Sequence, residues 1–267
     1  MPIIRIDRFD DPRLEDYRNV SDAELLRRRN LFVGEGRLVV GRLLAEQYRV
    51  VSMLLNNASV RALESSLVQL AETPIYVCDN LEFASITGFN FHRGCLALAE
   101  RPAPGTADEI VDASGLILVL EAVTDADNVG SVFRNAAAFA VGGVLLSSTC
   151  CDPLYRKAIR TSMGSALRIP YARVENWPAY IDTLKEKGFT VVALTPGVSA
   201  LDLGSFARQA GQKIAVLVGS EGPGLSERVV EMADVHLRIP IRPEVDSLNL
   251  ATATGIALYH LTGPRCA

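Results

Sequence analysis

Residues 116–146 read LILVLEAVTDADNVGSVFRNAAAFAVGGVLL, and this stretch decides the fold class. Leu116–Leu120 is a nearly continuous apolar run, as expected of a parallel strand covered on both faces. Asp127 can cap a helix running through Ala140, and Gly143–Leu146 is the next strand. The alternation continues down the chain. Trp177–Lys187 reads as a helix ended by Gly188, Phe189–Leu194 and Ile214–Val218 as strands, and Leu248–Leu261 as a closing helix rich in Ala, Thr and Leu. Strands alternating with helices predict a doubly wound α/β domain, in which ligands bind outside the carboxyl ends of the strands.

Upstream, a smaller α/β domain is expected. Ser21 caps a helix over Asp22–Arg29, Leu31–Val33 is a short strand, and Gly36–Gln47 is helical. Arg49–Leu55 is a strand, Ser59 caps a helix to about Ala71, and strands follow at Pro74–Val77 and Gly94–Ala99. Pro102, Pro104 and Gly105 break regular structure, which places a linker at 102–114 between a domain over 1–101 and another over 115–267. A length of 267 residues suits two domains.

Composition narrows the class. Apolar residues make up 49% of the chain, enough for packed cores, yet no run of about 18 apolar residues lacks charge, so no membrane span is expected. The start MPIIRIDRFDDPR carries acids and no apolar core, unlike a secretory signal. Five cysteines without a CxxC spacing argue against a disulfide framework or a zinc site and suit thiols in a reducing cytoplasm. His92, His236 and His260 show no ligand spacing, so no metal is expected; His260, near the end of the last helix, is expected to interact with that helix's C-terminus. A net charge of −4 leaves any nucleic-acid contact to local patches.

Three segments of the second half carry candidate chemistry. Asp127–Asn135 (DNVGSVFRN) places Asn128 at a helix mouth and Arg134 in its second turn; by composition it also reads as an ordinary capped helix with a surface Arg. Gly219–Ser226 (GSEGPGLS) follows a strand directly. Its glycines and Pro223 make a tight loop with exposed amides, able to cradle a ligand closely or simply to turn the chain. The spacing is not GxGxxG, and Glu221 would repel a phosphate, so pyrophosphate is a poor fit. Ile239–Asn249 (IPIRPEVDSLN) leads into the final helix, where Ser247 stands at the N-cap position and Asn249 is a weak helix former whose presence a polar partner would explain.

Taken together and in this order, Asn128-x-Gly130-x3-Arg134, Gly219–Gly224 and Ile239–Ile241 with Ser247-Leu248-Asn249 resemble the three motifs of the SpoU (TrmH-like) RNA methyltransferases of the SPOUT superfamily. Ser162–Pro170 (SMGSALRIP) resembles the family's segment between the first and second motifs. Phe32–Gly36 followed by a helix resembles the start of its ribosomal-protein-like RNA-binding module.

The resemblance implies an α/β fold with a trefoil-knotted methyltransferase domain, a knot being something no periodicity would suggest, preceded by a small α/β RNA-binding domain. It implies S-adenosylmethionine as cofactor, gripped by Thr195, Pro196, Gly197, Leu217, Val218, Gly219, Ser220, Gly222, Ile239, Ile241, Ser247 and Leu248. It implies a homodimer through the C-terminal domain, with Arg134 reaching the other subunit's site. The implied reaction is methylation of a ribose 2′-hydroxyl in structured RNA, 23S-type rRNA favoured and tRNA possible. In it Arg134 clamps the adjacent phosphate or acts as base, Asn128, Ser247 and Asn249 orient the ribose, and Glu221 positions Arg134 or Asn128. RNA contact is expected from Arg156, Lys157, Arg160 and Arg168, in a stretch free of acids between Asp152 and Glu175, and from Glu35 and Arg37 of the first domain; each patch also reads as a solvated helix face, and Arg27–Arg29 is evenly balanced.

Pro243 departs from the family's commoner glycine in motif three and bears on the loop over the cofactor. A nicotinamide-dependent oxidoreductase would need GxGxxG in the first βα turn, and Glu121–Asn128 contains no glycine. An RNA-binding protein of the same fold without methyltransfer is the remaining alternative.

Overall fold

Strands from the two halves of the chain build two separate sheets. The structure, a computed structural model, describes residues 3–8, 10–18, 21–68, 70, 72–80, 83, 86, 94–197 and 199–263; His92 and Cys266 lie outside them. Two units are present, Met1–Ala103 with Leu154–Leu167, and Pro104–Pro153 with Arg168–Ala267.

The first unit holds β1 (Ile3–Arg5), β2 (Leu31–Glu35), β3 (Val50–Asn56), β4 (Ile75–Cys78) and β5 (Cys95–Glu100), in the order β1-β4-β3-β5-β2. Pairing is parallel across β1, β4 and β3 and antiparallel across β3, β5 and β2. Its helices are α1 (Asp22–Glu24, continued as a π-type turn over Leu25–Arg29), α2 (Arg37–Ala45) and α3 (Asn57–Leu67). Ser21 caps α1 as expected, accepting from Glu24 N. Ser59 does not cap α3. Asn56 does, because its backbone is extended and its side chain accepts from Ser59 N at 2.8 Å, so the helix starts earlier; Ser59 is buried inside it.

The second unit is a seven-stranded sheet, every pair parallel, in the order β10-β12-β9-β11-β6-β7-β8. The strands are β6 (Leu116–Glu121), β7 (Gly143–Ser147), β8 (Tyr171–Val174), β9 (Phe189–Leu194), β10 (Leu201–Asp202), β11 (Lys213–Gly219) and β12 (Val235–Arg238). Side chains alternate across a strand, yet Ile117 and Val119 on one face and Leu118 and Leu120 on the other all have zero exposure, so both faces are covered. Helices α4 (Ala107–Ala113), α7 (Tyr180–Glu186) and α8 (Glu227–Met232) contribute Ile110, Val111, Ile181, Leu184 and Val229 to the core with Ile117, Val119 and Leu217. Helix α5 (Ala126–Ala138) packs on α9 (Leu250–Thr262). These two approach closely at Gly255, where a Cβ would stand 3.1 Å from Asn135 Nδ2. No helix among the described residues is long and apolar enough to cross a membrane.

Three further expectations change. The segment 102–114 is not all linker, since Thr106 and Glu109 form a reciprocal capping box that starts α4, whose Ile110 and Val111 are buried. The piece Leu154–Leu167, including α6 (Arg156–Thr161), packs with the first unit. There Arg156 is held by Asp22 through Nε at 2.7 Å and through its backbone N at 2.9 Å. Lastly, the cap of α5 is Asp125, not Asp127, because Asp125 is extended and accepts from Asp127 N and Asn128 N.

Candidate active site

Loops leaving the C-terminal ends of the neighbouring strands β12, β9 and β11 converge on one cavity of about 400 Å³. It is lined by residues 194–196 at the end of β9 and just beyond it, by residues 218–222 and Gly224 at the end of β11 and in the loop that follows, and by Ile239, Ile241, Ser247, Leu248, Asn249, Leu250 and Ala253 before and at the start of α9. The volume falls in the range of small-molecule sites, and the lining is mostly apolar or backbone.

The loop after β11 is closed on itself. Gly224 N donates to Ser220 O at 3.0 Å, and Gly222 and Gly224 hold φ values of 85° and 73° that other residues adopt only with strain. A Cβ on Gly219 would lie 2.1 Å from the Gly224 carbonyl carbon. Only glycine fits there, so the chain can fold back and leave its amides along the cavity wall.

Asn249 organises the polar edge. It, not Ser247, is the N-cap of α9, its Oδ1 accepting from Ala251 N and Thr252 N. Ser247 stands two residues earlier, in the exposed loop. The Asn249 Nδ2 is left to donate to Asn128 Oδ1 at 3.0 Å and to Glu221 Oε1 at 2.9 Å. One side chain thus joins all three sequence segments. Asn128 is buried, whereas Glu221 and Asn249 are exposed.

Most residues expected to grip a cofactor line this cavity: Thr195, Pro196, Val218, Gly219, Ser220, Gly222, Ile239, Ile241, Ser247 and Leu248. Leu217 does not, because its side chain has zero exposure and belongs to the core on the sheet's other side, with Ile117 and Val119. Gly197 also stands outside the lining, whereas Leu194, Gly224, Leu250 and Ala253 join it. Ala253 follows Asn249 by four residues, one helical turn, a spacing visible once the start of α9 is known.

Arg134 is exposed on α5 and is not in the lining, and no hydrogen bond or ion pair joins it to Glu221. Six residues after Asn128, it lies about 9 Å further along the helix and is rotated roughly 240° away. Glu221 is joined to Asn128 through the Asn249 amide. Of the residues expected to touch RNA, Arg160 reaches Glu35 at 3.5 Å, and Arg37 Nε donates to Ser59 Oγ at 3.1 Å. Lys157 and Arg168 are exposed. Arg173, from the same cationic run, binds the carbonyls of Ser147, Ser148 and Cys150 and pairs with Asp152, and so ties down the loop after β7. His236 and His260 each contact a backbone carbonyl, of Val230 and Phe206. His260 stands in the last turn of α9, as expected.

The SpoU rRNA Methylase family matches residues 115–259. A tRNA/rRNA methyltransferase of Mycobacterium bovis, itself uncharacterized, is 40% identical over 259 residues, covering 95% of this chain and 89% of that one. The 23S rRNA (guanosine(2553)-2′-O)-methyltransferase of Bacillus subtilis is 27% identical, covering 97% and 99%. The structure of an AdoMet-bound rRNA methyltransferase from Sinorhizobium meliloti superposes with a TM-score of 0.81 at 25% identity, over 97% of each chain. The chain belongs to the SpoU rRNA methylase family and is an RNA methyltransferase. S-adenosylmethionine is the cofactor of that family.

Proposed function

We propose that this protein binds S-adenosylmethionine in the cavity beside Gly219–Gly224 and methylates a ribose 2′-hydroxyl of structured RNA, with ribosomal RNA favoured. The observation that carries the reading is Asn249, whose amide bridges Asn128 and Glu221 at the edge of the cavity. The 23S rRNA ribose activity named for the Bacillus subtilis relative supports the substrate class.

The residues fit the cofactor. Small residues and main-chain groups let a flat base and a ribose approach the wall closely, and the fold-back of the loop leaves no room for a side chain at Gly219. When bound, the cofactor supplies an activated methyl group. The chain's own task is to hold a weakly acidic hydroxyl in line and to ease loss of its proton, a positioning effect worth several kcal/mol or more. Asn128, Asn249 and Ser247 orient the ribose, with Glu221 setting the Asn249 amide. A guanidinium holds its proton too firmly to serve as a base; the role of Arg134 is a clamp on the phosphate next to the reacting ribose.

Arg134 is exposed and does not line the cavity of its own chain, which supports a homodimer through the second unit in which Arg134 serves the partner's cavity. Exposed Ile256 and Tyr259 on α9 supply apolar surface for that interface. We take the loops after β9, β11 and β12 to be the knotted region characteristic of the family. The first unit serves as the RNA-binding domain, with Lys157 and Arg160 on α6, Glu35 and Arg37 near β2, and Arg168 of the second unit as RNA contacts, acting in the cytoplasm. The test is a map of 2′-O-methylation across total RNA with and without the gene. Loss of one ribose methyl, restored by wild type and not by Arg134→Ala, is expected; an unchanged map together with RNA binding would favour a non-catalytic RNA-binding protein.

A further inference from the structure

We propose that Glu121, which lies outside the three motifs, is a positioning residue that holds both feet of the loop forming the cofactor wall. The proposal rests on the methyltransfer reading above. The first foot is held by the backbone, since Glu121 ends β6 directly opposite Gly219 in the parallel ladder with β11. The second foot is held by the side chain, whose Oε2 accepts from Ser226 N at 2.8 Å and whose Oε1 accepts from Ser226 Oγ at 2.9 Å. Between the feet run Ser220, Glu221, Gly222 and Gly224 of the cavity wall.

Ser226 is the N-cap residue of α8, yet its side chain makes no capping bond. The hydroxyl that would ordinarily satisfy a helix amide is directed to Glu121 instead. Glu121 Oε1 also accepts from Trp177 Nε1 at 3.0 Å. Three donors therefore converge on one carboxylate, and no ion pair to it occurs among the described residues. Only a group with acceptors on both oxygens satisfies this set. The Glu121→Gln substitution would present an amide N–H to one of the donors and lose that bond. A shift of Ser226 would move the wall amides, so cofactor binding depends on Glu121 without contact between them.

Trp177 is the single tryptophan of the chain, and through Glu121 it is one hydrogen bond from the loop. Its emission is thus a built-in reporter of loop position. The experiment uses the full-length protein with wild type, Glu121→Gln, Glu121→Ala and Ser226→Ala. Calorimetric titration with S-adenosylmethionine is paired with Trp177 fluorescence and with steady-state kinetics on RNA. Glu121→Gln is expected to raise Kd and KM for the cofactor about tenfold, the scale of one lost charge-assisted bond, while kcat at saturating cofactor stays within about twofold. Ser226→Ala, which keeps the backbone bond and the packing, is expected to raise Kd about threefold. Cofactor is expected to shift Trp177 emission in wild type and less so in Glu121→Gln. Wild-type affinity in the Glu121 variants and in Ser226→Ala would overturn the role of Glu121 alone. Absence of binding by wild type would overturn the methyltransfer reading and this role with it.

Discussion

The Asn249 side-chain amide donates to Asn128 Oδ1 at 3.0 Å across a separation of 121 residues, while its oxygen caps α9. Fold and site are therefore joined in one residue, and its two halves can be separated. Asn249→Asp keeps the capping oxygen but turns the donor facing Glu221 into an acceptor. The variant should retain its melting temperature within a few degrees and lose about 10²-fold in kcat, the cost of misplacing reacting groups by about 1 Å. Asn249→Ala should lose the cap as well, at about 1 kcal/mol. Thermal melts and single-turnover methylation measure the two effects separately.

Gly219→Ala would put a methyl group 2.1 Å from the Gly224 carbonyl carbon, a backbone atom that cannot swing aside. The loop must open. Cofactor affinity should fall by at least about tenfold, more than a single lost hydrogen bond explains. Calorimetry gives the answer directly, and undiminished affinity would show that the loop does not form the cofactor wall.

Arg134 and Glu221 make a test of subunit exchange. Each single variant, Arg134→Ala or Glu221→Gln, should be inactive as a homodimer. Mixing and re-equilibrating the two should restore up to about one quarter of wild-type activity, if an intact site needs Arg134 from one chain and Glu221 from the other and the chains pair at random. No recovery would place Arg134 in the site of its own chain.

Two neighbouring cations on α6 should behave differently. Arg156 is held by Asp22 and is largely sheltered, so Arg156→Ala should cost about 1–3 kcal/mol in stability. Lys157 is exposed, and Lys157→Ala should lower the salt dependence of RNA binding by about one unit in log–log slope. Filter binding at several salt concentrations distinguishes the two.

The thiols are a further check. Cys78, Cys95, Cys150 and Cys151 are buried, and burial pushes the Cys95 thiol up to about 12. A thiol with so high a pKa supplies little thiolate at pH 8. In Cys266→Ser protein, a disulfide reagent at pH 8 should label no cysteine until denaturant is added; rapid labelling of the native state would contradict the packing around β5.

Strands β6, β7, β9 and β11 of the second unit were legible because a strand buried on both faces must be apolar nearly throughout; Phe189–Leu194 is found with the same ends. Short or polar elements were not. Strands β8 (YARV) and β12 (VHLR) offer only four residues of pattern and β10 only two, and they exist through pairing with neighbours. Caps were misplaced by two or three residues at Asp125, Asn56 and Asn249, because capping depends on which side chain meets an unpaired amide, and several adjacent Asp, Asn and Ser residues were chemically able to do so.

By itself the sequence determined the α/β class, the three motifs and the residue types at the site, since these follow from local apolar patterning and from the chemistry of glycine, asparagine and carboxylate. The tertiary structure alone decided which loops become neighbours. The sheet order sets β12, β9 and β11 side by side and β6 next to them, so their C-terminal loops share one cavity. It also decided that Glu221 meets Asn249 rather than Arg134, that Leu217 faces the core, and that Leu154–Leu167 packs with the first unit. Hydrogen bonds between residues a hundred positions apart arise from strand pairing and helix packing, which no local pattern encodes.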